Sequence, residues 1–167
     1  MKRHPLASPA KSWLIRLYDI NDQQKLHPIS VHIPNGMVPV AGIFMATGCL
    51  FEMQALVVAA YCNLAVIFLS MPGVILTGYA SWQHRYKGAK TSLFRTKRLC
   101  SGLVFLGSGL VLLFQTLYPV KADHLTAAGW ALTAAYLLLL IPTIIAGFLG
   151  GRLVFGGRKK MPPATKG

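Results

Sequence analysis

Residues 41–80 read AGIFMATGCL FEMQALVVAA YCNLAVIFLS MPGVILTGYA, and this stretch decides the fold. It consists of two long apolar blocks that are separated only by a few residues around Glu52. Lipid hydrates neither charge nor backbone, so blocks near the roughly 20 residues needed to cross a bilayer predict membrane-spanning helices. The short separation predicts a tight turn, and the two helices are therefore expected to form an antiparallel hairpin.

Two further apolar blocks complete an all-α, integral membrane four-helix bundle, predicted to consist of two antiparallel hairpins. The 167 residues are 54% hydrophobic and 13% charged, whereas a soluble domain carries roughly a quarter charged residues. A soluble protein with a very apolar core is the alternative, and the clustering of the apolar residues disfavours it. The predicted spans cover about 34–51, 55–80, 99–118 and 125–150.

Basic segments flank this membrane domain, which is predicted to cover residues 27–156. In the N-terminal segment 1–26, an apolar face that includes Trp13 fits a short helix in the headgroup region, and a frayed tail fits equally well. The C-terminal segment 157–167 is basic and is predicted to be disordered after Lys160.

The basic residues are distributed unevenly along the chain, whose net charge is +13 from 17 Lys and Arg against 4 Asp and Glu. They lie in the N-terminal segment, the loop 81–98 and the tail, whereas the two opposite turns contain only Lys121. Because positively charged segments stay inside, both termini are predicted to be cytoplasmic, in a bacterial inner membrane. Topology thus accounts for the charge, and the expected partners are the bilayer and its anionic headgroups, with no nucleic acid.

Patterns typical of hydrolytic or transfer chemistry are missing from the sequence. The acidic residues form no pair within one span, and the glycine-rich stretch 147–157 ends a span instead of following a strand, as a phosphate-binding loop would. Cys49, Cys62 and Cys100 lie in or beside apolar blocks without paired spacing, which favours small thiols packed between helices over a metal site. We therefore expect no enzymatic chemistry beyond electron transfer.

Three histidines provide the strongest indication of a binding site. His27 and His32 precede the first span and His84 follows the second, so a hairpin would bring all three to the cytoplasmic boundary. Imidazoles in a helical bundle can ligate haem iron. The same cluster could bind a quinone headgroup, with Trp82 or Tyr79 packed against it. The alternative is that these residues only anchor the protein at the membrane boundary, where such side chains are common.

The two N-terminal histidines lie in the segment His27-Pro28-Ile29-Ser30-Val31-His32-Ile33-Pro34. Residues that precede proline avoid the helical region of the backbone. The segment is therefore predicted to be stiff and extended, and to hold both imidazoles in place.

A His-Pro-x-x-Val-His-x-Pro opening at 27–34 and a Gly-Gly-x-Leu-Val-aromatic close at 150–155 resemble the bacterial membrane family called domain of unknown function 2231. Gly78-Tyr79 followed by Trp82 resembles the same family at the end of its second span. The resemblance covers about 26–156 and implies four spans, with haem binding and membrane electron transfer as suggested roles. Family members often carry further histidines in spans three and four, which this chain does not, so His27 or His32 would pair with His84.

Three functions remain open at this point. The preferred hypothesis is a redox-associated membrane subunit that binds b-type haem or quinone through the cytoplasmic histidines and works with other membrane or redox subunits. A non-catalytic membrane anchor or scaffold for a partner is the alternative. A small transporter or channel ranks third, because intramembrane polar residues such as Asn63 and Gln115 are few.

Overall fold

A computed structural model describes residue 20 and residues 26–122 and 127–155, except for the side chains of His84, Val154 and Phe155. The predicted interfacial helix near the N-terminus and the predicted disordered tail lie outside these residues. Within the described ranges every regular element is helical, which confirms the all-α class. The helices are α1 (Leu26–Ser30), α2 (His32–Leu50), α3 (Gln54–His84), α4 (Ser92–Leu117), α5 (Ala127–Leu138) and α6 (Leu140–Phe155).

Four helical segments are long and apolar enough to cross a membrane, as the sequence predicts. At about 1.5 Å per residue, their lengths of 25 to 30 residues exceed a hydrocarbon core of about 30 Å, which leaves room for tilt. These segments are Leu26–Leu50, Gln54–Gln83, Ser92–Leu117 and Ala127–Leu153.

The segment that begins the first of these helices is not extended, so that prediction was wrong. Val31, between α1 and α2, has φ −68° and ψ −18°, which are helical values. Its N–H donates to the His27 carbonyl at 3.2 Å, and the Asn35 N–H donates to the Val31 carbonyl at 3.2 Å. Pro28 and Pro34 are each the third residue of their helix. An amide in the first turn has no partner within its helix, so proline is tolerated at both positions.

The turn between α2 and α3 is as short as predicted, and Glu52 makes it possible. Glu52 has φ +55°, in the left-handed region. This conformation lets the Met53 N–H reach back to the Gly48 carbonyl at 2.8 Å, which caps the end of α2.

The helices pack around one apolar core. Helix α2 contacts α3, α5 and α6, and α4 contacts α3, α5 and α6. The core centre is nearly inaccessible, with Met45, Leu64 and Ile67 each at most 1% exposed. Large apolar side chains such as Leu69, which is 75% exposed, point outward instead. An apolar outer surface around an apolar core is what a lipid environment requires.

Polar contacts tie the helices together at the end of the bundle formed by the α2–α3 turn. The Gln54 Oε1 accepts from the Ala122 N–H at 2.8 Å, and its Nε2 donates to the Val120 carbonyl at 3.4 Å. Deeper in the core, the Tyr136 hydroxyl donates to Gln115 Oε1 at 2.7 Å. Both side chains are buried, so each polar group finds its hydrogen-bond partner within the protein, where an apolar environment offers none.

Candidate functional site

The opposite end of the molecule, formed by the α3–α4 connection, is where the sequence-predicted site residues lie. We call it the basic end, because six cationic residues lie on or near the connection: Arg85, Lys87, Lys90, Arg95, Lys97 and Arg98. Helix α1 packs against α3 here. Helix α6 packs against α4, with Lys97 beside Gly150. Side chains from α1, α3, α4 and α6 therefore lie at this end.

His27 is fixed against α3 by polar contacts and by close packing. Its Nδ1 lies 3.2 Å from the Thr77 hydroxyl oxygen, and it also hydrogen-bonds the backbone of Val74. The ring lies close to the backbone of α3 at Gly78, where an added Cβ would be only 2.9 Å from the imidazole Cε1. Only glycine leaves room for the ring at this position.

Thr77 links His27 to the backbone of α3. The Thr77 hydroxyl donates to the Gly73 carbonyl at 2.8 Å, and its oxygen lies within hydrogen-bond distance of the His27 Nδ1. Ser30, whose hydroxyl donates to the His27 carbonyl at 3.1 Å, adds a second polar contact between α1 and the Thr77 oxygen at 3.4 Å.

His32 has a different environment from His27. It is exposed, whereas His27 is half-buried. Five residues along a helix correspond to a rotation of about 140° away from the starting direction, so the two imidazoles leave α1 and α2 on different faces. The His84 side chain lies outside the described residues. The three-histidine site therefore stays a prediction.

Trp82 and Tyr79 are in contact, with ring centroids 5.6 Å apart. Trp82 also holds the α3–α4 connection, because its indole N–H donates to the Ala89 carbonyl at 2.9 Å. The Arg98 guanidinium lies 4.6 Å from the centre of the Trp82 ring, in cation–π contact. Tyr79 is 42% exposed and is the more accessible of the two aromatic side chains.

Within the described residues, no group of three His, Cys, Asp or Glu side chains is arranged to hold a metal ion. A haem would need only one or two axial imidazoles. Among the described side chains, His27 and His32 are the imidazoles of this end.

Sequence reasoning missed two contributors at the basic end. Thr77 was not singled out, because a hydroxyl in an apolar block most simply bonds the carbonyl four residues earlier in its own helix, as Thr77 does with Gly73. Lys97 was used only as one of the basic residues that predict the orientation of the chain. In the structure it is half-buried, and its Nζ lies 3.5 Å from the position that a Cβ at Gly150 would take. Its position as the sixth residue of an apolar helix could have marked it.

Comparison with known protein families, with curated proteins and with solved structures finds no match to this chain. The resemblance to domain of unknown function 2231 stays a prediction. A function is therefore argued from the contacts at the basic end.

Proposed function

We propose that this chain is a multi-pass protein of the bacterial inner membrane, made of two helical hairpins with both termini in the cytoplasm. The uneven distribution of basic residues supports this orientation. The contacts of His27 with Gly78 and of Lys97 with Gly150 support it too, because they join the outer ends of the chain to the α3–α4 connection. Gln54 and Ala122 join the two remaining turns at the other end.

Cysteine labelling in cells tests the orientation. In a background in which the native cysteines are replaced, Lys90→Cys should react with a membrane-impermeant maleimide only after the inner membrane is permeabilised. Lys121→Cys should react in intact spheroplasts. The opposite pattern would show that the chain is inserted the other way round.

We further propose that the chain is a redox-associated subunit that binds a quinone headgroup at the basic end, using His27, His32, His84, Trp82 and Tyr79. The observation that carries this proposal is the His27–Thr77 hydrogen bond, which holds an oriented imidazole at the basic end. Quinone carbonyls need hydrogen-bond donors and an aromatic or apolar surface, and Tyr79 lies next to Gly78 in α3. Haem b is the second cofactor considered. Ligation by two imidazoles would pair His27 or His32 with His84, because His27 and His32 leave different faces.

Cofactor content decides between these ligands. The full chain, expressed in haem-replete cells and purified in mild detergent, should carry extractable quinone. His27→Ala should lower the quinone-to-protein ratio several-fold. Thr116→Ala is the matched control, because it removes a hydrogen bond to Tyr61 and leaves the basic end intact. A Soret band would assign haem instead, and the absence of both quinone and a Soret band would refute the redox role.

The second candidate function is a non-catalytic anchor or scaffold for a partner subunit. One observation favours it: the polar groups of His27, Ser30 and Thr77 bond one another, as a purely structural contact between α1 and α3 would require. In that case His27→Ala lowers thermal stability, and wild-type protein contains neither cofactor. Co-purification of a membrane partner, lost when α1 is detached, would support this function.

A further inference from the structure

Lys97 is a cation without an anionic neighbour among the described residues. It is half-buried within the apolar helix α4. In the ranges 26–122 and 127–155, Glu52 is the sole acidic residue, and it lies in the turn at the opposite end of the bundle. A charge that is removed from water costs free energy unless it is paired. Lys97 therefore has the capacity to bind an anion.

The ammonium group lies against another helix. Its Nζ is 3.5 Å from the Cβ position of Gly150, so it rests on the backbone of α6. An ion that approaches Lys97 would thus lie between α4 and α6.

Asn35 supplies a second donor on the same face of α6. Its amide nitrogen lies 3.5 Å from the Cβ position of Gly147. Gly147 and Gly150 are three residues apart, so they lie on one face of the helix, one turn apart. The Asn35 side chain forms no hydrogen bond with the part of the chain that the structure describes. We call Asn35, Lys97, Gly147 and Gly150 the Lys97 cluster.

We propose that the Lys97 cluster binds the phosphate group of an anionic phospholipid. Phosphate oxygens accept hydrogen bonds from an ammonium and an amide at once, and the two glycines let Lys97 and Asn35 lie close to the backbone of α6. The proposal rests on the cytoplasmic orientation of this end. Anionic lipids are abundant in the cytoplasmic leaflet, and basic sites between helices on that side bind their headgroups.

The surroundings favour a lipid over free phosphate as the source of the anion. Ile144 precedes Gly147 by three residues, so it lies on the same side of α6, and it is 64% exposed. This apolar side chain provides a surface along which an acyl chain can lie while the headgroup contacts Lys97. An inorganic phosphate ion would gain nothing from that surface.

Native mass spectrometry of the full chain in mild detergent, titrated with phosphatidylglycerol or phosphatidylcholine, tests the proposal. Lys97→Gln should weaken phosphatidylglycerol binding by about tenfold, as expected for the loss of a charge-assisted hydrogen bond, and leave phosphatidylcholine binding unchanged. The matched control Lys90→Gln removes the same charge from an exposed position of the same end and should bind like the wild type.

Two further variants keep the test decisive if Lys97→Gln does not fold. Lys97→Arg keeps the charge and should retain binding, and Asn35→Ala should weaken it by about threefold. Equal losses in Lys97→Gln and Lys90→Gln would mean general attraction to headgroups and would overturn the proposal. Lys97-dependent binding of inorganic phosphate without anionic lipid would overturn the assignment to lipid.

The same preparations separate this proposal from those on which it rests. Quinone is extracted from Lys97→Gln protein in parallel, and an unchanged quinone content with lost phosphatidylglycerol binding assigns the two ligands to different residues. Orientation is measured independently by labelling at Lys90 and Lys121. An inverted orientation would leave the lipid titration interpretable, because the detergent-solubilised chain has no fixed side.

Discussion

Gly78 and Gly73 lie five residues apart in α3, and replacing each with alanine isolates the contribution of His27 to the fold. At Gly73 an added Cβ meets nothing within 4 Å, whereas at Gly78 it would be 2.9 Å from the His27 ring. Ordinary contact begins at 3.4 Å, so Gly78→Ala forces the ring to move by about 0.5 Å. Because Thr77 belongs to the same helix, a ring displaced from Gly78 also moves away from Thr77.

This movement is expected to break the hydrogen bond between His27 and Thr77. At 3.2 Å the bond is already at the long end of its range, which is about 2.7–3.2 Å. Its loss costs roughly 0.5–1.5 kcal/mol, and the lost packing of the ring adds to that. Alanine also gains helix propensity over glycine by up to about 1 kcal/mol, but this gain is common to both variants. We therefore expect Gly78→Ala to be about 1–2 kcal/mol less stable than Gly73→Ala.

Two measurements check this difference. Titration of the protein from mild detergent into sodium dodecyl sulfate, followed by circular dichroism, gives the free energy of unfolding of each variant. Hydrogen exchange of residues 26–31 should be faster in Gly78→Ala than in Gly73→Ala, because α1 loses its attachment to α3. If Gly78→Ala is as stable as Gly73→Ala and exchange in α1 is unchanged, His27 does not hold α1 on α3.

Three further predictions concern other parts of the chain. Tyr136→Phe leaves the buried Gln115 carbonyl without its donor and should lower the free energy of unfolding by about 1–2 kcal/mol in the same titration; an unchanged midpoint would contradict this. Gln54→Ala should speed amide exchange at Ala122 by about tenfold, because the bond that protects it is lost; equal exchange rates would refute the contact. Cys62 is exposed on the outer surface of α3, and in the protein solubilised in mild detergent at alkaline pH it should react with a membrane-permeant maleimide faster than Cys49 and Cys100, which are buried; equal rates for all three would contradict this.

The all-α class and the four membrane-length helical segments could be predicted from the sequence, because crossing a bilayer demands a length and a composition that few sequences meet by chance. The turn at Glu52 could be predicted too, since so few residues separate two apolar blocks. The conformation of the segment 27–34 could not. The extended conformation was predicted because residues before proline avoid the helical region of the backbone. Pro28 and Pro34 lie in the first turns of their helices, however, and the hydrogen bonds donated by Val31 and Asn35 continue the helix.

The candidate site was predictable only in part, for a geometric reason. Sequence spacing places His27 and His32 near one boundary, but it does not fix their directions, which depend on whether the segment is helical or extended. The partners of His27 are Thr77 and Gly78, some 50 residues away. A hydroxyl and a glycine are common in apolar helices, so neither residue type alone predicts contact with an imidazole.

The amide of Gln54 has a consequence for how the chain is assembled. Its two hydrogen bonds reach Val120 and Ala122, which lie 66 and 68 residues further along the chain. During synthesis the first two helices are complete before these partners have been made. Until residues 120–122 have been made, the Gln54 side chain has to find other hydrogen-bond partners, such as water. Closure of this contact thus marks the stage at which the two halves of the chain join.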